Sequence, residues 1–137
     1  MTNPSALSNT VSVGPQLSMD DLVALGAQGF TSVINNRPDD EEPGQISSTD
    51  LEMAARAAGL DFHHIPIRGL PHAEAVSAVG EVLKSDAANN GRTIMFCRSG
   101  MRSAACWAMA QRLAGADADH LRAAAAAAGY DLSRLPL

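Results

Sequence analysis

Basic residues are in short supply in this 137-residue chain. Ten Lys and Arg face fifteen Asp and Glu, for a net charge of -5. No stretch gathers the Lys and Arg that a nucleic acid or an anionic membrane surface requires, so neither is an expected partner. Aromatics make up only 4% of the residues, so the core must be built from Leu, Val, Ile, Ala and Met. There are two cysteines, Cys97 and Cys106, with no CxxC pair and no His-rich tract. That argues against a disulfide framework and against a metal site, and no cofactor motif is present. No apolar run reaches the ~20 residues that span a bilayer, and residues 1–10 lack the charge and apolar stretch of a signal peptide. The expected setting is cytoplasmic, with reduced thiols.

What remains is a regular alternation of two patterns. β-Branched or apolar runs predict strands at 11–13, 31–35, 62–67 and 93–96. Between them lie helical segments. One is capped by Ser18, with Asp20 and Asp21 in its first turn, and runs to about Ala27. Another is capped by Ser48 or Thr49 and ends near Gly59. A third covers about His72 to Ser85. After 93–96 come a helix from Ser103 to about Ala114 and a last one capped by Asp117 and stopping at Gly129. Strands alternating with helices predict an α/β three-layer sandwich, with a mostly parallel central sheet and helices on both faces. The length suits a single domain over 1–137.

The run Thr93-Ile94-Met95-Phe96 has the unbroken apolar character of a strand buried on both faces. It delivers the chain to Cys97-Arg98-Ser99-Gly100-Met101-Arg102-Ser103 at the start of a helix. Helix starts offer unpaired N–H groups and the positive end of a dipole. Gly100 permits close backbone approach to an anion, and Arg98 and Arg102 add charge, the guanidinium fork suiting a tetrahedral oxyanion. The same field favours the thiolate of Cys97 and makes it a nucleophile. In open α/β sheets this is also where ligands bind, beyond the carboxyl ends of strands. Cys97 is therefore the expected nucleophile, with Arg98, Ser99, Gly100 and Met101 forming an anion cradle for a small anionic substrate or a phosphoprotein.

The loop resembles the signatures of two enzyme classes. Tyrosine and dual-specificity phosphatases place five residues between Cys and Arg, and rhodanese-type sulfurtransferases have a loop one residue shorter. Four residues separate Cys97 from Arg102. Further segments narrow the resemblance: Val13-Gly14-Pro15-Gln16-Leu17-Ser18, Val33-Ile34-Asn35-Asn36-Arg37-Pro38-Asp39, Glu42-Pro43-Gly44-Gln45, His64-Ile65-Pro66-Ile67, and the Cys97 loop followed by Trp107. In this order they resemble the phosphatase-like domain of beta-lactamase hydrolase-like proteins. That resemblance implies a dual-specificity-phosphatase-like fold. It also implies an association with a persulfide dioxygenase, to which the domain is fused in some relatives.

Carried across, the phosphatase roles make Cys97 the group that forms a cysteinyl phosphate and Arg102 the ligand of the equatorial oxygens. Ser103 becomes a hydrogen-bond donor to the Cys97 sulfur. The segment Arg68-Gly69-Leu70-Pro71 has no carboxylate where such enzymes commonly carry their general acid. A substitute would come from the loop Asp39-Asp40-Glu41-Glu42, so Asp39 and Asp40 are candidate pocket residues. Arg37 is another, weighed evenly against simple pairing with these acids. The expected reaction is hydrolysis of aryl-type phosphomonoesters, whose leaving group needs a general acid least. The alternatives are a rhodanese-type transfer through a Cys97 persulfide and a non-catalytic anion-binding module. Cys106, Trp107 and Met109 are expected in the core, His63 and His64 on a strand in structural roles, and His120 on the surface.

Overall fold

The computed structural model describes residues 4–137. The elements in chain order are β1 (Ser5–Ala6), β2 (Val11–Gly14), α1 (Met19–Ala27), β3 (Ser32–Asn35), α2 (Ser48–Ala57), β4 (Asp61–His64), α3 (Ala73–Ala88), β5 (Thr93–Phe96), α4 (Met101–Leu113) and α5 (Ala118–Ala127). The sheet order is β1-β2-β5-β3-β4. All neighbours are parallel except β1, which folds back antiparallel along β2. β5 thus lies between two parallel partners, and its four residues are all buried. That agrees with its unbroken apolar composition.

Alternation along the strands divides the core. Val33, Ile94 and Phe96 point to one face, where Leu22 and Leu25 of α1 and Leu51 and Ala55 of α2 cover them. Val13, Ile34 and Met95 point to the other, under Val76 and Val79 of α3, Ala104 and Ala108 of α4, and Leu121 of α5. Each fully buried aliphatic side chain contributes roughly 1.5–3 kcal/mol. The expected three layers are therefore present, with two helices on one face and three on the other.

Polar groups fix the lower end of the sheet. Asp86 of α3 accepts from Ser32 Oγ at 3.0 Å and from Thr93 Oγ1 at 2.6 Å. It ties the starts of β3 and β5 to one carboxylate. α1 begins with a reciprocal capping box between Ser18 and Asp21.

Several boundaries differ from expectation for local reasons. β1 is two residues long, below any periodic signal. α2 is capped by Ser47, whose side chain accepts from Asp50 N, and Ser48 is its first residue. β4 stops at His64 before Pro66, which cannot donate to a ladder, although Ile65 and Ile67 still donate to Asn35 and Asn36. α3 continues to Ala88. α4 begins at Met101 rather than Ser103, because Gly100 takes the left-handed conformation (φ 100°) and lets the helix start at once. Cys106 and Trp107 are buried, and Met109 packs against the same core. Burial pushes the Cys106 thiol up to about 12.

Candidate active site

β5 ends at Phe96, and the chain turns immediately into the loop that opens α4. Cys97 is fully buried. Its sulfur faces the inside of the loop, where Gly100 N–H donates to Sγ at 3.1 Å. Gly100 is required there twice over. Its φ of 100° suits glycine alone, and a Cβ would overlap the Tyr130 hydroxyl and come within 2.7 Å of that ring's Cζ. Tyr130 Oη donates to Ser99 O at 3.1 Å, so the chain after α5 braces the loop from outside. Burial first, and then the neighbouring Cys97, raises the Tyr130 pKa. On the far side, Gln16 N–H donates to Arg98 O.

Arg102 is held by a carboxylate fork. Its Nη1 donates to Glu41 Oε2 at 2.7 Å and to Ile67 O at 2.8 Å, and its Nη2 donates to Glu41 Oε1 at 2.9 Å. The same guanidinium interacts with Cys97, so Glu41 and the sulfur together raise its pKa. Glu41 also accepts from Arg37 Nε at 2.9 Å. Arg102, against the pull of burial and with help from Arg37, holds the Glu41 carboxyl at about 2.

Arg37 is only 2% exposed. Its remaining donors go to Gln16 Oε1 and Glu42 Oε1, and its carbonyl pairs with His64 Nε2. Burial alone would lower its pKa, but Glu42 and Glu41 more than offset this and raise it. The pairing is present, and Arg37 orders the acidic loop as an internal counterion; with Gln16 and Glu42 it also lines a cavity. Glu42 is held below its ordinary value by Arg37 and then Arg98, the latter exposed and 3.7 Å away.

Three expectations need correction. Asp39 is not aimed at the sulfur: its oxygens accept from Ser48 N at 2.8 Å and Ser48 Oγ at 2.7 Å, capping α2. Burial would raise its carboxyl, but these bonds outweigh that and lower it. Asp40 sits exposed in the left-handed region (φ 63°) and serves the turn. Ser103 Oγ donates to Asn36 Oδ1 at 2.8 Å rather than to the sulfur, and the Asn36 amide donates onward to Ile65 O. The hydroxyl thus ties α4 to the ends of β3 and β4. Ser99 and Met101 are exposed on the outer side of the loop, where Met101 N–H donates to Ser99 Oγ.

Asn36, Gln16 and Tyr130 are the site residues that motif reading passes over, and Glu41, one of the loop acids expected as a substitute proton donor, is instead the partner of Arg102. Asn36 and Gln16 lie within the segments that carry the family resemblance, which was the available signal. Tyr130 is a lone aromatic 33 positions after Cys97 (130 less 97), and nothing local marks it. His63 and His64 are half-buried and His120 is exposed. Among the described residues no cluster of His, Cys, Asp or Glu could hold a metal ion, and no helix is long and apolar enough to cross a membrane.

A central parallel strand that delivers a cysteine into a loop before a helix, closed by a fixed arginine, defines a cysteine-phosphatase-like fold. Solved structures agree. A candidate phosphatase from Neisseria meningitidis superposes with a TM-score of 0.80 at 25% identity, over 93% of this chain and 89% of that one. Kinase associated phosphatase, solved with its catalytic-site cysteine replaced by serine, gives 0.70 at 17% identity, over 90% and 80%. Residues 5–116 match the model of the beta-lactamase hydrolase-like protein, phosphatase-like domain, and the chain belongs to that family. Beta-lactamase hydrolase-like proteins of Agrobacterium fabrum and Xylella fastidiosa are 34% and 30% identical over 80% and 93% of the chain. The chain spans 25% and 30% of the length of these two relatives.

Proposed function

We propose that Cys97 is the nucleophile of this phosphatase-like domain and that its reaction is sulfane-sulfur transfer to and from a small anion. The observation that carries the reading is the state of the acids around the loop. Both Glu41 oxygens accept from Arg102, one of them also from Arg37, both Asp39 oxygens accept from Ser48, and Glu42 accepts from Arg37, so these carboxylates are committed within the protein. Such carboxylates are poor proton donors at neutral pH, whereas release of an alkoxide draws about 10²–10⁴-fold from one. A sulfite leaving group needs no proton. The six-residue loop from Cys97 to Arg102 and a fully buried sulfur also suit a slender one-atom sulfur tip better than a phosphoryl group.

The chemistry is a pair of displacements. The Cys97 thiolate attacks the outer sulfur of thiosulfate, the S–S bond of the donor breaks, and sulfite leaves with the electron pair. A nucleophile such as cyanide then attacks the outer sulfur of the Cys97 persulfide, and the Cys97 thiolate leaves. Gly100 N–H and the guanidinium of Arg102 stabilise the charge on sulfur in both steps.

Hydrolysis of aryl phosphomonoesters is the second reading, favoured by the phosphatase fold and by Arg102 beside the sulfur. Parallel assays separate the two: thiocyanate from thiosulfate and cyanide, and p-nitrophenol from its phosphate. Thiocyanate formation that vanishes in Cys97→Ser, with a mass gain of one sulfur atom on the wild type after thiosulfate, is expected. Phosphate release alone reverses the order, and inactivity in both with retained oxyanion binding points to a non-catalytic module. Asp39→Asn is the sharper comparison. It should loosen α2 by about 1 kcal/mol while leaving thiocyanate formation within about twofold, since no proton from Asp39 is used; a loss of about a hundredfold or more restores it as a general acid.

A further inference from the structure

Beside the arginine of the loop lies a cavity of about 310 Å³ that sulfur transfer to cyanide does not use. Arg102 and Met101 form the wall it shares with the cradle, and Leu70, Pro71, Ala105 and Leu135 provide its apolar surface. Leu70 and Met101, 62% and 40% exposed, both line this cavity. The volume is at the lower end for small-molecule pockets.

The rim carries one charge of each sign. Asp131 and Arg134 both line the cavity and both are exposed. Asp131 Oδ1 accepts from Ser133 N at 2.9 Å, and the bonds from Ser133 hold the carboxyl below its ordinary value, so it is ionised at neutral pH. Arg134 makes no ion pair among the described residues, in contrast to Arg37 and Arg102, which are engaged by carboxylates. Both rim residues belong to the segment that follows Tyr130, and the Tyr130–Ser99 bond fixes that segment against the cradle.

We propose that this cavity binds the sulfur acceptor and that the acceptor is a zwitterionic thiol of the α-amino-acid type. The proposal rests on the sulfur-transfer reading of Cys97. The ammonium faces Asp131, the carboxylate faces Arg134, the short carbon chain lies on the apolar surface, and the thiol points past Arg102 toward the sulfur. A purely anionic thiol meets Asp131 and a purely cationic one meets Arg134, so complementarity favours the molecule that carries both charges. The acceptor thiolate attacks the outer sulfur of the Cys97 persulfide, the inner S–S bond breaks, and the Cys97 thiolate leaves with the electron pair. The product is the organic persulfide, and no oxidant is consumed.

The test begins with protein loaded by thiosulfate. Rates of persulfide discharge are compared for free cysteine, cysteamine, mercaptopropionate and mercaptoethanol. Each is measured with wild type, Arg134→Gln, Asp131→Asn and Arg134→Lys. The advantage of cysteine over mercaptoethanol should fall about three- to tenfold in the Gln and Asn variants, the range of a partly exposed charged contact, and return in Arg134→Lys. An advantage that is equal in all four proteins overturns the subsite. Failure of thiosulfate to load Cys97 sinks the sulfur-transfer reading instead. In that event S-methylcysteine and methylthioethanol are compared for their power to slow alkylation of Cys97 by iodoacetamide. Selective protection by S-methylcysteine, lost in Arg134→Gln, upholds the subsite, and equal protection or none removes it.

Discussion

Gly100→Ala should fold but lose about a hundredfold or more in Cys97-dependent turnover. The left-handed φ of 100° costs an L-residue about 1–2 kcal/mol. The added methyl overlaps the Tyr130 hydroxyl and the edge of its ring, and crowding of this kind costs about 1–3 kcal/mol. The chain can relieve it only by moving the Cys97–Arg102 turn or the Tyr130 segment. Movement of the turn displaces the N–H that meets the sulfur at 3.1 Å, and movement of Tyr130 removes its brace on Ser99 O; a misplacement of ~1 Å can remove 10²-fold of rate. Gly115→Ala is the matched control. Its φ is 103°, yet nothing lies within 4 Å of the new Cβ, so it bears the backbone cost alone and keeps its activity. Equal activity in the two variants, by thiocyanate release at matched folded fraction, would remove Tyr130 from the site.

The second large effect is expected from Glu41→Gln. One carboxylate serves two guanidinium groups, Arg37 at 2% side-chain exposure and Arg102 at 19%. Without its charge Arg37 keeps Glu42 and the neutral Gln16, and Arg102 keeps the Ile67 carbonyl and the Cys97 sulfur. Loss of the charge should destabilise the fold by about 2 kcal/mol. It should lower kcat by about tenfold to a hundredfold with a smaller change in KM, because Arg102 would no longer be fixed over the sulfur. The pH dependence identifies the cause. Glu41 binds its proton less readily when folded than when unfolded, so its contribution is complete above the ordinary value of 4.5. It is lost as pH falls from there through about 2. Urea melts of wild type and variant should therefore converge in acid. A stability gap that persists undiminished down to about pH 2 would mean that shape, not charge, is what Gln fails to supply.

The sequence was most readable where one residue's pattern is answered by its immediate neighbours. Thr93–Phe96 announced a doubly buried strand by composition, Ser18 and Asp21 a helix start by spacing, and Gly100 a break by type. The site is readable to the same depth: the cysteine, the cradle and the arginine lie within six residues. What it hid are partners that meet only after folding. Arg102 and Glu41 are 61 positions apart, as are Thr31 and Arg92, and Ser103 and Asn36 are 67 apart. Ser103 in particular could be matched to the sulfur by motif, but its partner is decided by how β3 ends, with Asn36 fully buried beneath α4. Asp39 was indistinguishable from its neighbouring acids until the start of α2 claimed both its oxygens.

β5 is flanked on both sides by parallel strands, and the residue that follows it is Cys97, the proposed nucleophile. A strand enclosed in this way belongs to the cooperative unit that opens last. The amides of Ile94, Met95 and Phe96 will exchange with deuterium only when the whole sheet comes apart. The Cys97 sulfur is thereby anchored to the most slowly opening segment of the chain, and partial melting at the β1 edge should leave its position unchanged.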